Sequence, residues 1–154
     1  MPLLLLLLVG VWEVGRIIHV QTLMANAARD GARIAAQART VNMVGSYTEI
    51  RFASGTSIPN VEDTVRAYLA GSGITNLTGV TVTFQFLDGD TTLTDPYQGV
   101  KNQQFRIVVT VPYENVRWTT LSILNPTTLT AEVRWSCLVD DPFTMNTEMP
   151  GWNP

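Results

Sequence analysis

An apolar run near its start limits what this chain can become. Residues 3–9 read Leu-Leu-Leu-Leu-Leu-Leu-Val, and between Leu3 and Ala28 only Glu13 and Arg16 carry a formal charge. A stretch of about 26 such residues exceeds the ~20 that a helix needs to cross a bilayer. Helix-favouring residues continue through Ala25-Asn26-Ala27-Ala28 to Ala35-Ala36 and on towards Arg39, alanine being the strongest helix former. At ~1.5 Å per residue, residues 3–39 predict a helix of roughly 55 Å, against a hydrocarbon core of about 30 Å. Such a helix must project well beyond any membrane that holds it.

Two features imply surroundings other than lipid. Glu13 lies roughly 15 Å along the axis from Leu3, near the middle of a bilayer, where a charge costs about 2.5–3.5 kcal/mol unless it is paired. Arg16, three residues on along the same face, is its expected partner. The pair could serve as a helix-internal salt bridge alone, or could also set register against neighbouring helices. The second feature is a pair of small-residue rows, Ala27, Gly31, Ala35 and Ala28, Ala32, Ala36, which let helix backbones approach closely. Helix propensity accounts for alanines, but a mid-helix glycine such as Gly31 costs up to about 1 kcal/mol and needs a packing reason. Glu13, Arg16, Ala27, Ala28, Gly31, Ala32, Ala35 and Ala36 are therefore the expected assembly interface. A secretory signal peptide is the competing reading, with Ala25-Asn26-Ala27 resembling a cleavage site. Against it, no Lys or Arg precedes the run, and the run is too long for a signal's apolar core.

After Arg39 the texture changes. Residues 1–39 carry four Arg against Glu13 and Asp30, for +2, whereas residues 40–154 carry six basic and eleven acidic groups, for −5. With 154 residues in all, one folded head plus appendages is what the chain can supply. The stretch around 40–57 is rich in Gly, Ser and Thr, and within it Tyr47–Phe52 reads as a short strand or irregular structure. Asn60 is an expected N-cap for a helix with Val61, Val65 and Leu69 on one face, stopped by Gly71. Three strands of period two follow: Val80 to Phe86, Phe105 to Tyr113, and Leu129 to Cys137. Asp88-Gly89-Asp90 marks a turn, and residues 118–124 form a semi-apolar link. The expected fold class is α+β: a long N-terminal hydrophobic helix (1–39), a head with one short helix and an antiparallel sheet of about three strands (40–138), and an extended tail (139–154) holding Phe143 and Trp152.

Little in the head points to chemistry. The only histidine, His19, lies inside the hydrophobic helix, so no Ser-His-Asp arrangement can be assembled in the head. Gly71-Ser72-Gly73 lacks the third glycine of a dinucleotide fingerprint and follows a helix rather than a strand. Asp88, Asp90 and Asp95 lack calcium-loop spacing and read as solvated turn residues. The single cysteine, Cys137, falls at an inward strand position, where core packing is the ordinary use. One Lys beside nine Arg and a net charge of −3 disfavour nucleic-acid binding. No catalytic residue, metal site, cofactor or small-molecule substrate is expected. Asn76-Leu77-Thr78 matches the glycosylation triplet, a pattern common by chance.

Gly10-Val11-Trp12-Glu13-Val14-Gly15-Arg16 after the Leu run, followed by Ala27-Ala28-Arg29-Asp30-Gly31-Ala32-Arg33, resembles the N-terminal helix of TadE-like proteins. These are pilin-like components of tight-adherence (Tad) pili, a branch of the type IV pilus superfamily. Val111-Pro112-Tyr113 and the closing strand with Arg134 are similar too. The resemblance implies a non-enzymatic subunit that waits in the inner membrane and is then extracted into an extracellular filament, as a homo-oligomer or with other pilins, supporting surface attachment. The alternative is a helix-anchored extracytoplasmic binding module that never polymerises. Because Arg29 and Arg33 follow the apolar run, charge bias alone would keep the head inside the cell. A short basic leader encoded upstream of residue 1 is therefore expected.

Overall fold

The computed structural model describes residues 2–41, 47–53, 55, 60–117 and 127–138. The expected link at 118–124 and the tail at 139–154 lie outside these residues. Helix α1 runs from Pro2 to Gln37. It ends because Ala38 takes a left-handed φ of 49°, a helix-closing conformation usual for Gly but here adopted by a fully buried alanine. The Ala38 N–H returns to the Ala35 carbonyl, and its own carbonyl accepts from Ile50 at 2.9 Å. The chain then folds into a two-stranded antiparallel ribbon, β1 (Arg39–Val41) with β2 (Tyr47–Glu49). The strand reading of Tyr47–Phe52 thus holds for its first three residues. Its partner β1, directly after the helix, had no signal in the sequence.

Helix α2 spans Val61–Gly71. The Asn60 side chain accepts the Asp63 N–H at 2.8 Å, which makes it the N-cap, and Val61, Val65 and Leu69 are the buried face, as the pattern required. The helix ends at Gly71 as expected, but the left-handed residue that closes it comes two positions later. Gly71 is still helical, and Gly73, at φ 96°, makes the reversal. The Ile74 N–H bonds the Leu69 carbonyl and the Gly73 N–H the Ala70 carbonyl, a Schellman closure that needs its left-handed residue two positions later.

The main sheet has the order β3-β4-β5, with β3 at Thr81–Phe86, β4 at Gln104–Pro112 and β5 at Thr128–Ser136, antiparallel throughout. Its register places Phe86 opposite Phe105 and Ile107 opposite Phe84 on one side, and Phe105 opposite Trp135 on the other. Period-two alternation sends Phe105, Ile107, Val109 and Val111 inward, and all four are fully buried. The opposite face is polar, with Gln85, Arg106, Glu132 and Arg134 joined by hydrogen bonds and ion pairs. Two layers result, the sheet on one side and α1 with α2 on the other, so the fold is α+β.

One core serves both layers, and it crosses residue 39. Val20, Met24, Ala27, Ala28, Ala32, Ala35 and Ala36 of α1 belong to the same buried cluster as Val65, Phe86 and Ile107. The second half of α1 is therefore a wall of the head, although its sequence texture groups it with the Leu run.

Candidate anchoring and assembly surface

Glu13, Val20, Met24, Ala27 and Gly31 recur at helical spacing, share one face of α1 and are buried, with Glu13 only 5% exposed. At the top of this face the head reaches the helix through the turn after β4. Pro112 ends β4 because it has no N–H to continue a ladder, and the chain tightens into a 3-10 turn at Tyr113–Asn115. That turn aims the Tyr113 hydroxyl at the helix, where it donates to Glu13 Oε1 at 2.7 Å. Burial, and then the hydrogen bond to Glu13 and its negative charge, push the Tyr113 hydroxyl up to about 12. Three residues along the helix, Arg16 Nε donates to the Val116 carbonyl.

This arrangement corrects the expected Glu13–Arg16 bridge. The ion pairs among the described residues do not include it. Both side chains turn to the head instead, because the turn after β4 offers a hydroxyl to the carboxylate and a carbonyl to the guanidinium. The small-residue rows pack against the chain's own head. Ala27, Ala28, Ala32, Ala35 and Ala36 are at 0% exposure, and Gly31 is buried with them. A Cβ on Gly31 would stand 2.6 Å from Val65 Cγ2 and 3.7 Å from Ile107 Cδ1. The close approach that small residues permit is made within this chain by α2 and the sheet.

What α1 does present outward was missed. Leu4, Leu7, Val11, Val14 and Ile18 form one stripe opposite the buried face, each between 45% and 67% exposed. Gly10 and Gly15 flank it, and beyond the helix's own neighbouring backbone a Cβ at either would meet no atom within 4 Å. Their spacing was legible in the sequence. What could not be read there was which face the head would cover. Beyond Ile18 the outer side of the helix becomes polar, with Gln21, Thr22, Arg29 and Arg33 exposed.

The remaining singled-out residues have structural settings. Asp88 Oδ1 accepts from the Gln104 N–H, Asp90 Oδ1 from Thr92, and Asp95 Oδ1 from the Phe52 N–H, so each carboxylate tethers a loop. Among the described residues no group of three or more His, Cys, Asp or Glu is placed to hold a metal ion. Cys137 is fully buried, and burial with the nearby negative charge of Asp88 pushes its thiol up to about 11. His19 is exposed on the helix. Asn76 bonds Asn115 across a surface loop at 3.2 Å.

A 36-residue helix with an exposed apolar first half, and a second half built into an α+β head, defines a helix-anchored head. It is long and apolar enough to cross a membrane. Residues 1–33 match the model of the family described as TadE, TadE-like protein, which supports a TadE-like protein and is consistent with a subunit related to Tad pili. The match takes in Glu13, Arg16 and Gly31 and stops before the first strand. No curated protein and no solved structure matches the chain.

Proposed function

We propose that this chain is a non-enzymatic structural subunit of an extracellular Tad-type filament, held in the inner membrane by α1 until assembly and supporting surface attachment. The observation that carries the proposal is the outward stripe Leu4, Leu7, Val11, Val14 and Ile18 on a helix whose other face the head covers from Glu13 onward. Hydrophobic side chains exposed over so long a segment mark a surface that another apolar body covers. In the membrane that body is lipid over the part of the stripe nearest Leu4, and in a filament it is the helices of other subunits, whether copies of this chain or other pilins.

Gly10 and Gly15 support the reading. Neither is required by the chain's own packing, yet each costs the helix up to about 1 kcal/mol relative to alanine. A neighbouring backbone that comes close at these points gives both a purpose. Negative-stain imaging of assembled material tests the proposal with Val14→Asp, which places a charge on the stripe at an exposed position outside the buried core cluster. Filaments from the wild-type chain and none from a folded Val14→Asp variant are expected. A wild-type chain that stays dispersed when co-expressed with its assembly partners would favour a non-polymerising anchored module.

A further inference from the structure

The way the head is fastened to α1 sets a limit on how far lipid can reach. A bilayer crossing that started at Leu3 would need about 20 residues and would extend to about residue 22. Within that distance lie Glu13, bonded to the head through Tyr113, Arg16, bonded through Val116, and Val20, in the head's core. Lipid cannot surround these positions while the head is in place. The same turn carries Glu114 and is followed by Arg117, both exposed, and charged groups are costly in hydrocarbon. Arg117 and Arg16 both act electrostatically on Tyr113, so the charges gather at one level of the molecule.

Just below that level the surroundings change. Leu3 to Leu8 are each between 61% and 78% exposed, so the segment is apolar on all sides, the pattern of a helix in lipid rather than in a one-sided groove. Trp12, 62% exposed, stands at the junction, where indole side chains favour the boundary between headgroups and acyl chains. Leu3 to Trp12 measure roughly 15 Å along the axis, about the depth of one leaflet.

Resting on the membrane-anchored reading, we propose that the hydrocarbon surface crosses α1 between Trp12 and Arg16, with Leu3–Trp12 in the leaflet beneath the head and the turn at Tyr113–Asn115 lying on the headgroups. The head's docking bonds, rather than the length of the apolar run, then set the depth of insertion.

Two variants of the full chain, Leu8→Cys and Ile18→Cys, each adding one cysteine beside native Cys137, test this in phosphatidylcholine vesicles with a thiol reagent that cannot enter lipid. Native Cys137 is fully buried and adds little background. Relative to detergent solution, Leu8→Cys should label at least about tenfold more slowly in vesicles, and Ile18→Cys within about twofold of its detergent rate. Protection of both sites would overturn the proposed depth while leaving anchoring intact. Full labelling of both would overturn the anchoring reading itself. Loss of slow labelling at native Cys137 identifies a variant whose head has opened, and in that case Val11→Cys and Gln21→Cys take the places of the two probes.

Discussion

From Leu3 to Leu8 no side chain of α1 is less than 61% exposed, whereas Met24 and the alanines that follow at positions 27, 28, 32, 35 and 36 are at 0%. Both segments are apolar and helical, and they differ in side-chain size. Leucines project on every side and keep other backbones at a distance. Alanine and Gly31 let α2 approach until Val65 lies within 2.6 Å of where a Cβ would stand. Small side chains therefore let the second half become core, and large ones left the first half exposed. Apolarity alone does not distinguish these outcomes; the volume that each position leaves for a neighbour does.

The sharpest way to break this comparison is to empty one half and then the other. Met24→Ala removes a fully buried side chain and should cost the head about 2–5 kcal/mol. Leu7→Ala, at a position 61% exposed, should leave head stability within about 0.5 kcal/mol. Urea unfolding in mild detergent, followed by near-ultraviolet circular dichroism, measures both, and equal losses would end the distinction between the halves.

Filling the glycines probes the same contrast from the opposite direction. Gly31→Leu forces a side chain into Val65 and Ile107 and should destabilise by about 1–3 kcal/mol or more. Gly15→Leu meets open space and should leave the fold intact, with a gain of up to about 1 kcal/mol from helix propensity. Any loss of filament yield in Gly31→Leu is then a folding defect, whereas the same loss in Gly15→Leu reports on contact with a neighbour.

The junction between the halves is tested by Tyr113→Phe. Losing the hydroxyl that donates to Glu13 should cost about 1–3 kcal/mol, because a buried carboxylate oxygen loses its donor. Replacing both Glu13 and Tyr113, as Glu13→Leu with Tyr113→Phe, should cost less than the two single changes added together. Additive losses in thermal unfolding would show that the contact is not a coupled pair.

A further effect is expected in alkali. Tyr113 titrates higher in the folded chain, up to about 12 against an ordinary value of 10.0, and Cys137 up to about 11 against 9.0. Each stabilises the fold fully below its unfolded value and loses that contribution as pH rises through its folded one. Stability should therefore decline from about pH 9 for Cys137 and from about pH 10 for Tyr113. Tyr113→Phe should flatten the upper part of the decline and Cys137→Ala the lower part, read as the unfolding midpoint against pH.

Much of the architecture was written in local pattern. The helical run from Leu3, the Asn60 cap with Val61, Val65 and Leu69, and three strands of period two are short-range consequences of residue size, capping and alternation, and each stands where its pattern put it. The polar functions of Glu13 and Arg16 were not local. Three residues apart on a helix, they suggest each other, and only the fold reveals that β4 delivers Tyr113 and Val116 to them from 100 positions away. The small-residue rows announced a close contact truthfully but could not name its partner, because a helix face does not encode whether its own chain or another will cover it. The sequence by itself determined that α1 is long, apolar and closely approached. Tertiary packing decided which half is core and which is left for lipid or a neighbour, because that depends on where the sheet and α2 come to rest.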